Sequence, residues 1–212
     1  MATNLILVLV VLTNLKLLAS SRLGASIRVV AAQGMVLGLL PVLAHVDELS
    51  LHFVAMAVGT IVLKGMVFPW LLFRALREAE VAREVEPYVG YITSILVGLI
   101  ALAASFWLGG RLPLTTAGVS PLLVPSALFS IRAGLFLIVA RKRAVNQVLG
   151  FLVLENGIYT FGVGVVSETP FLVELGVLLD AFVAVFVMGI AVYHINREFD
   201  HIETDRLDQL KG

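Results

Sequence analysis

Glu155 stands inside FLVLENGIYTFG, residues 151–162, a run otherwise suited to lipid. An ionised carboxylate at the centre of a bilayer costs about 3 kcal/mol even on lenient insertion scales, so something must neutralise it or use it. Four more ionisable residues interrupt long apolar runs: Lys64, Arg132, Glu174 and Asp180. Acids and bases of this kind inside membrane segments line proton or ion pathways by default. Lysine fits that chemistry, because burial lowers the proton affinity of its amine and lets it exchange a proton.

Helical rise gives the five groups different depths. At ~1.5 Å per residue, Lys64 and Arg132 come out ~12–14 Å from one face, Glu155 ~16 Å and Asp180 ~22 Å, with Glu174 near the opposite face. Lys64 and Arg132 are thus at the height needed to neutralise Glu155 if their helices are neighbours. Glu174 and Asp180 are separated by ~600° of helical rotation and face different sides of their helix, so they do not form a dyad. Asp180 is the better ion-site candidate, since Glu174 is placed to snorkel to the surface. A structural reading of the same set is an ion-pair lattice that fixes helix register. We take ion handling as the working expectation.

Hydrophobic residues make up 59% of the 212 and charged residues 14%, far below the roughly 25% charged that is usual in globular domains. The expected class is all-α, a polytopic membrane protein with about seven helices over 3–20, 27–44, 51–73, 87–108, 121–140, 144–166 and 171–195. Each is near the ~20 residues that span a bilayer. Pro87 is expected to open the fourth span, GGRLP to close it, and SETP to separate the last two. The first run follows MATN, which has no positive n-region, and is read as a retained helix. Arg22, Arg28, Arg74, Arg77, Arg83, Arg141, Lys142, Arg143, Arg197, Arg206 and Lys211 collect on one side. Arg111 lies on the other with Asp47, Glu48 and Glu168. That bias puts the N-terminus outside and the C-terminus in the cytoplasm.

Other features bound the chemistry. The formal net charge is zero, which gives no reason to expect a nucleic-acid partner. There is no cysteine, which rules out disulfides and thiolate-held zinc or iron–sulfur clusters. Of His45, His52, His194 and His201, the pair His52 and His194 fall near opposite faces, so no haem is expected between them. The chain is expected to carry no electrons and to be no enzyme by itself. Asn156, with Asn146 and Gln147 below it, fits either a hydrated path towards the cytoplasm or interhelical glue. Gly34 and Gly38 in GMVLG form a packing face. Pro69 is expected to kink the third helix just past Lys64. RALREAE and HINREFD, with RVVAAQGMVLGLL and RAVNQVLGFLVL, leave open a diverged three-helix repeat around the fourth helix.

RKRAVNQVLGFLVLENGIYTFG, PFLVELGVLLDAFVAVFVMGIAVYHINREF, the tail ETDRLDQLKG and VLKGMVFPWLLFRALR together resemble component E of hydrogenase-4. That family belongs to formate hydrogenlyase-type, membrane-bound hydrogenase complexes. The last three helices are also similar to the small K-type membrane subunit of respiratory complex I and to its counterpart in multisubunit cation/proton antiporters. The resemblance implies three parts: a four-helix segment over 1–110, a K-type-like segment over 111–198 and a cytoplasmic tail over 199–212. In the K-type subunit two glutamates belong to a proton-conducting polar axis. Glu155 matches the first, and both Glu174 and Asp180 stand near the second. A [NiFe] centre and iron–sulfur clusters are implied in peripheral partner subunits, antiporter-like subunits beside this chain, and a location in the inner membrane. The expected function is a non-catalytic subunit that relays protons or sodium through Lys64, Arg132, Glu155 and Asp180. The alternatives are an assembly scaffold of the membrane arm, or an antiporter subunit without redox partners.

Overall fold

The computed structural model describes residues 2–40, 51–78, 87–112 and 120–165. All of its regular structure is helical: α1 (Ala2–Ala19), α2 (Leu23–Gly38), α3 (51–78), α4 (Tyr91–Gly109), α5 (Leu123–Ala140) and α6 (Ala144–Val165). Among the described residues three stretches are long and apolar enough to cross a membrane, namely Ala57–Arg77, Tyr91–Gly109 and Leu123–Ala140; shorter apolar helices cover Thr3–Ala19 and Leu23–Gly38. The expected seventh span, with Glu174 and Asp180, lies outside the described residues, as does the tail.

Two helix starts differ from expectation by four residues: α2 begins early, at Leu23 rather than 27, and α4 begins late. Pro87 does not open α4, which begins at Tyr91 after an extended Gly90. The Val89 amide instead donates to the Ala140 carbonyl at the end of α5, 3.3 Å away. That bond holds residues just before the helix against a neighbour and delays the first turn.

α3 is interrupted where Lys64 sits. Residues Leu51–Val62 are α-helical, Leu63–Val67 form a π-turn, and Phe68–Glu78 resume the α-helix. Pro69 has no N–H for the Gly65 carbonyl, so the ladder cannot continue in its ordinary form. The helix accommodates this with a wide turn in which the Phe68 amide reaches back to the Leu63 carbonyl. Where a Pro69 kink is expected, the helix carries a π-turn, a form common at functional positions.

The helices meet through glycines. A Cβ on Gly134 of α5 would lie 2.4 Å from the Leu154 amide nitrogen, and one on Gly157 of α6 would lie 2.7 Å from that of Ile131. Gly150 faces the Gly134 carbonyl from the other helix, with its Cβ position 2.9 Å away. α5 and α6 thus pack backbone against backbone, closer than any side chain permits. α2 approaches α3 in the same way: a Cβ on Gly34 would come within 2.6 Å of the Lys64 Cβ, and one on Gly38 within 2.9 Å of Ile61 Cγ1. GMVLG is the expected packing face, and one of its contacts is the buried lysine.

Around these seams a single apolar cluster joins α1, α2, α3, α5 and α6, with Leu18, Ile27, Phe68, Phe129 and Val153 among its members. α4 lies against α1 and α5 and leaves Ile92, Leu96, Ile100 and Trp107 exposed. Arg141 closes one end. It is 1% exposed, donates from Nη2 to the Leu18 carbonyl at 2.6 Å and stacks over the Tyr91 ring at 4.5 Å. A residue counted in the sequence as a topological charge is thus also a clamp between α1, α4 and α5.

Gly134→Leu is expected to force α5 and α6 apart and to destabilise the protein by roughly 1–3 kcal/mol or more. Gly59→Ala, where the new Cβ meets nothing within 4 Å, is expected to be neutral or mildly stabilising. Thermal unfolding of the detergent-solubilised chain checks both, and an undisturbed Gly134→Leu protein would contradict the seam.

Candidate functional site

Glu155 finds its partner on α3. Lys64 Nζ lies 2.5 Å from Glu155 Oε1, with side chains 6% and 2% exposed. The same ammonium donates to Asn156 Oδ1 at 3.2 Å and lies 5.3 Å from the centre of the Tyr159 ring, within cation–π range. Three residues of α6 therefore face Lys64, at i, i+1 and i+4. Gly150, Leu154 and Gly157 are on the opposite side of that helix, against α5. The phase of α6 follows from this division: glycines where backbone must touch backbone, polar groups where a charge must be met.

The polar cluster extends well beyond the ion pair. Asn156 Nδ2 donates to Gln33 Oε1 at 3.2 Å, and Gln33 Nε2 to Asn14 Oδ1 at 2.8 Å. Asn14 Nδ2 donates to Ser130 Oγ at 2.8 Å, and Ser130 Oγ to the Ser126 carbonyl at 2.9 Å. Gln33 also reaches Thr13 Oγ1 at 3.2 Å and the Val10 carbonyl at 3.4 Å. Lys64, Glu155, Asn156, Gln33, Asn14 and Ser130 are all buried, and they come from five helices. Glu155 Oε2 has no hydrogen-bond partner among the described residues. Buried polar atoms left in this way are rare in folded proteins and recur at reactive sites.

Arg132 does not join the pair. Its Nη1 donates to Ser105 Oγ on α4 at 2.8 Å and to the Ala101 carbonyl at 3.5 Å. The reason is helical phase. Gly134 fixes which face of α5 meets α6, and position 132 is about 200° away from it. Matching height was not sufficient; direction was wrong. Gln147 likewise does not lead towards Glu155, because its side chain donates to the Arg141 carbonyl at 3.2 Å and closes the turn before α6. Asn14, Gln33 and Ser130 carry much of the cluster and were not singled out from sequence. An Asn in LVVLTNLKLL and a Gln in RVVAAQGMVLG are polar interruptions of apolar runs, the pattern of interhelical glue, and would have marked both. Among the described residues no group of His, Cys, Asp and Glu is arranged to hold a metal ion.

This chain is 32% identical over 190 residues to the uncharacterized protein Rv0085 of Mycobacterium tuberculosis, a match covering 89% of this chain and 86% of that one. The two belong to one family. Hydrogenase-4 component E of Escherichia coli K12 is also 32% identical, over 120 residues that cover 56% of this chain and 55% of the relative. The same protein of Shigella flexneri matches equally. The chain thus spans about half the length of the hydrogenase components it matches. No family model matches the chain, and no solved structure does. The similarity supports a relationship to a hydrogenase membrane component, consistent with the long apolar helices.

Removing one member of a buried ion pair strands the other, at about 3–5 kcal/mol. Lys64→Met is expected to lower the thermal unfolding midpoint sharply. Adding Glu155→Leu is expected to recover most of the loss, because no charge then remains in the apolar interior. Equal, additive losses in a double-mutant cycle would mean that the two side chains do not interact.

Proposed function

We propose that this chain is an integral membrane subunit of a hydrogenase-type complex and that its Lys64–Glu155 pair handles the protons whose movement is coupled to redox chemistry in partner subunits. The observation that carries the reading is a close, buried ammonium–carboxylate contact in which Glu155 Oε2 has no hydrogen-bond partner among the described residues. An ion pair serving architecture alone gains from having every lone pair satisfied. One that must take up and give back a proton needs an oxygen available for it. Likeness to hydrogenase-4 component E supplies the assembly. The [NiFe] centre and the iron–sulfur clusters would reside in peripheral partners, and antiporter-like subunits would lie beside this chain in the inner membrane, with this subunit doing no catalysis of its own.

On this reading the proton of the pair passes between Lys64 Nζ and Glu155 Oε1, and Oε2 is the oxygen open to the next station. Asp180 and Glu174 remain candidates for the next station, and Arg132 is a side branch towards α4 rather than a tuner of Glu155.

One observation favours a structural role instead: the cluster continues from the pair through Asn156, Gln33 and Asn14 to Ser130, tying helices together as register pins would. The two readings part on one substitution. Glu155→Gln keeps the size of the side chain and one oxygen to accept from Lys64, and removes the titrating group. Because Lys64 still meets the amide oxygen, we expect the complex purified with its partners to assemble at lower stability and to transfer electrons, with loss of gradient formation. Intact gradient formation would end the relay reading, and failure to assemble would favour the scaffold. Mild-detergent purification of a tagged copy should retain a [NiFe]-type large subunit, iron–sulfur proteins and antiporter-like subunits; recovery of the chain alone would remove the hydrogenase assignment.

A further inference from the structure

The hydrogen bonds leading away from the ion pair all point one way. Lys64 donates to Asn156, Asn156 to Gln33, Gln33 to Asn14, Asn14 to Ser130, and Ser130 to the Ser126 carbonyl. The two ends dictate this polarity. A protonated lysine has donors and no acceptor, and a backbone carbonyl has an acceptor and no donor. Each amide between them has one oxygen and one nitrogen to place. If a single amide turned over, oxygen would face oxygen on one side and nitrogen would face nitrogen on the other. With both ends fixed, only one arrangement satisfies every link.

We infer that Gln33 and Asn156, backed by Asn14 and Ser130, are positioning residues that hold one N–H of Lys64 away from Glu155 in both charge states of the pair. The inference rests on the reading of Lys64 and Glu155 as the ion-handling pair. In the ionised state, one ammonium N–H points to Asn156 Oδ1 and another to Glu155 Oε1. When a proton passes from Nζ to Oε1, that N–H bond breaks, its electron pair stays on nitrogen as a lone pair, and an O–H bond forms on the carboxyl. The neutral amine retains two N–H donors and gains one acceptor. The bond to Asn156 persists, and the new lone pair is left directed at the new O–H. The amine thus keeps its orientation while the proton moves and can take the proton back without searching for it.

Three features support a positioning role over general cohesion. The chain is buried throughout, so water does not offer its members easy alternatives. Its links polarise one another, so a change at Gln33 is felt at Lys64 through Asn156, which bonds to both. Gly34, next to Gln33 on α2, seats the Lys64 stem through the close approach described above. One turn of α2 therefore sets both the place of the stem and the direction of the head group.

The test uses the full chain in lipid vesicles and the infrared carboxyl bands of Glu155, identified as those lost in Glu155→Gln. Gln33→Met keeps the side-chain length and cuts the chain two links from the carboxylate. Thr13→Val removes a different hydrogen-bond partner of Gln33, off the line of donors, with little change in shape. We expect Gln33→Met to displace the Glu155 bands and Thr13→Val to leave them in place. Unmoved bands in Gln33→Met, or equal displacement in both variants, would overturn the proposal. Should Gln33→Met fail to accumulate in the membrane, Ser130→Ala removes the acceptor of Asn14 together with the terminal bond to the Ser126 carbonyl, and a smaller displacement in the same sense is expected; no displacement overturns the proposal equally. The bands report on geometry whether or not ions move, so failure here is distinct from an unaltered gradient in Glu155→Gln.

Discussion

A charged amine and a carboxylate in contact inside an apolar bundle impose conditions on everything around them. Each ion alone would cost several kcal/mol to take out of water, and their attraction offsets that only when the contact is close and the remaining polar valences are largely met. α3 must therefore deliver Lys64 to α6 at a fixed height and rotation. The π-turn at Leu63–Val67 and the lack of a side chain at Gly34 serve that placement. α6 must in turn present Glu155 and Asn156 to α3 while facing α5 with its other side. The glycines at 134, 150 and 157 bring α5 and α6 together without intervening side chains. The ion pair and the glycine seams are two sides of one packing solution.

The same solution explains the asymmetry of the bundle. Polar side chains of α1, α2, α5 and α6 converge on the line from Lys64 to Ser130, whereas α4 contributes only Ser105 and the Ala101 carbonyl to Arg132. α4 packs on α1 and α5 and keeps a broad apolar face outward. It buttresses the cluster from behind. Arg141 performs an analogous task at one end, where its guanidinium meets the carbonyl of Leu18 that the end of α1 leaves without a helical partner.

How much of this was legible in the sequence depended on whether a feature is local. Hydropathy located the described helices to within a few residues, because long apolar runs report directly on burial or lipid contact. The partnership of Lys64 with Glu155 followed from depth and charge together. Arg132 satisfied the same two conditions and failed, since its direction depends on which face of α5 meets α6. That face is set by Gly134 packing on Leu154 and Gly150, a contact between positions far apart in sequence. The delayed start of α4 has the same origin, a tertiary bond from Val89 to Ala140 that outweighs the preference of proline for a first helical turn. Asn14 and Gln33 were readable as polar interruptions, but their common purpose is apparent only once α1, α2 and α6 are side by side. The family relationship is carried along nearly the whole chain by the mycobacterial relative, while the match to the hydrogenase component covers about half of it.

The most direct test of the account is the distance between Lys64 Nζ and the Glu155 carboxyl carbon in the native membrane. Dipolar recoupling solid-state NMR on the full chain, labelled with nitrogen-15 in lysine side chains and carbon-13 at glutamate carboxyls, measures it, with assignment by the signals lost in Glu155→Gln. The account predicts a strong coupling of a directly hydrogen-bonded pair for Lys64. A Lys64 nitrogen with no coupling to that carboxyl would mean that the charge is met elsewhere, and the pair could then be neither the pin of the bundle nor its proton site.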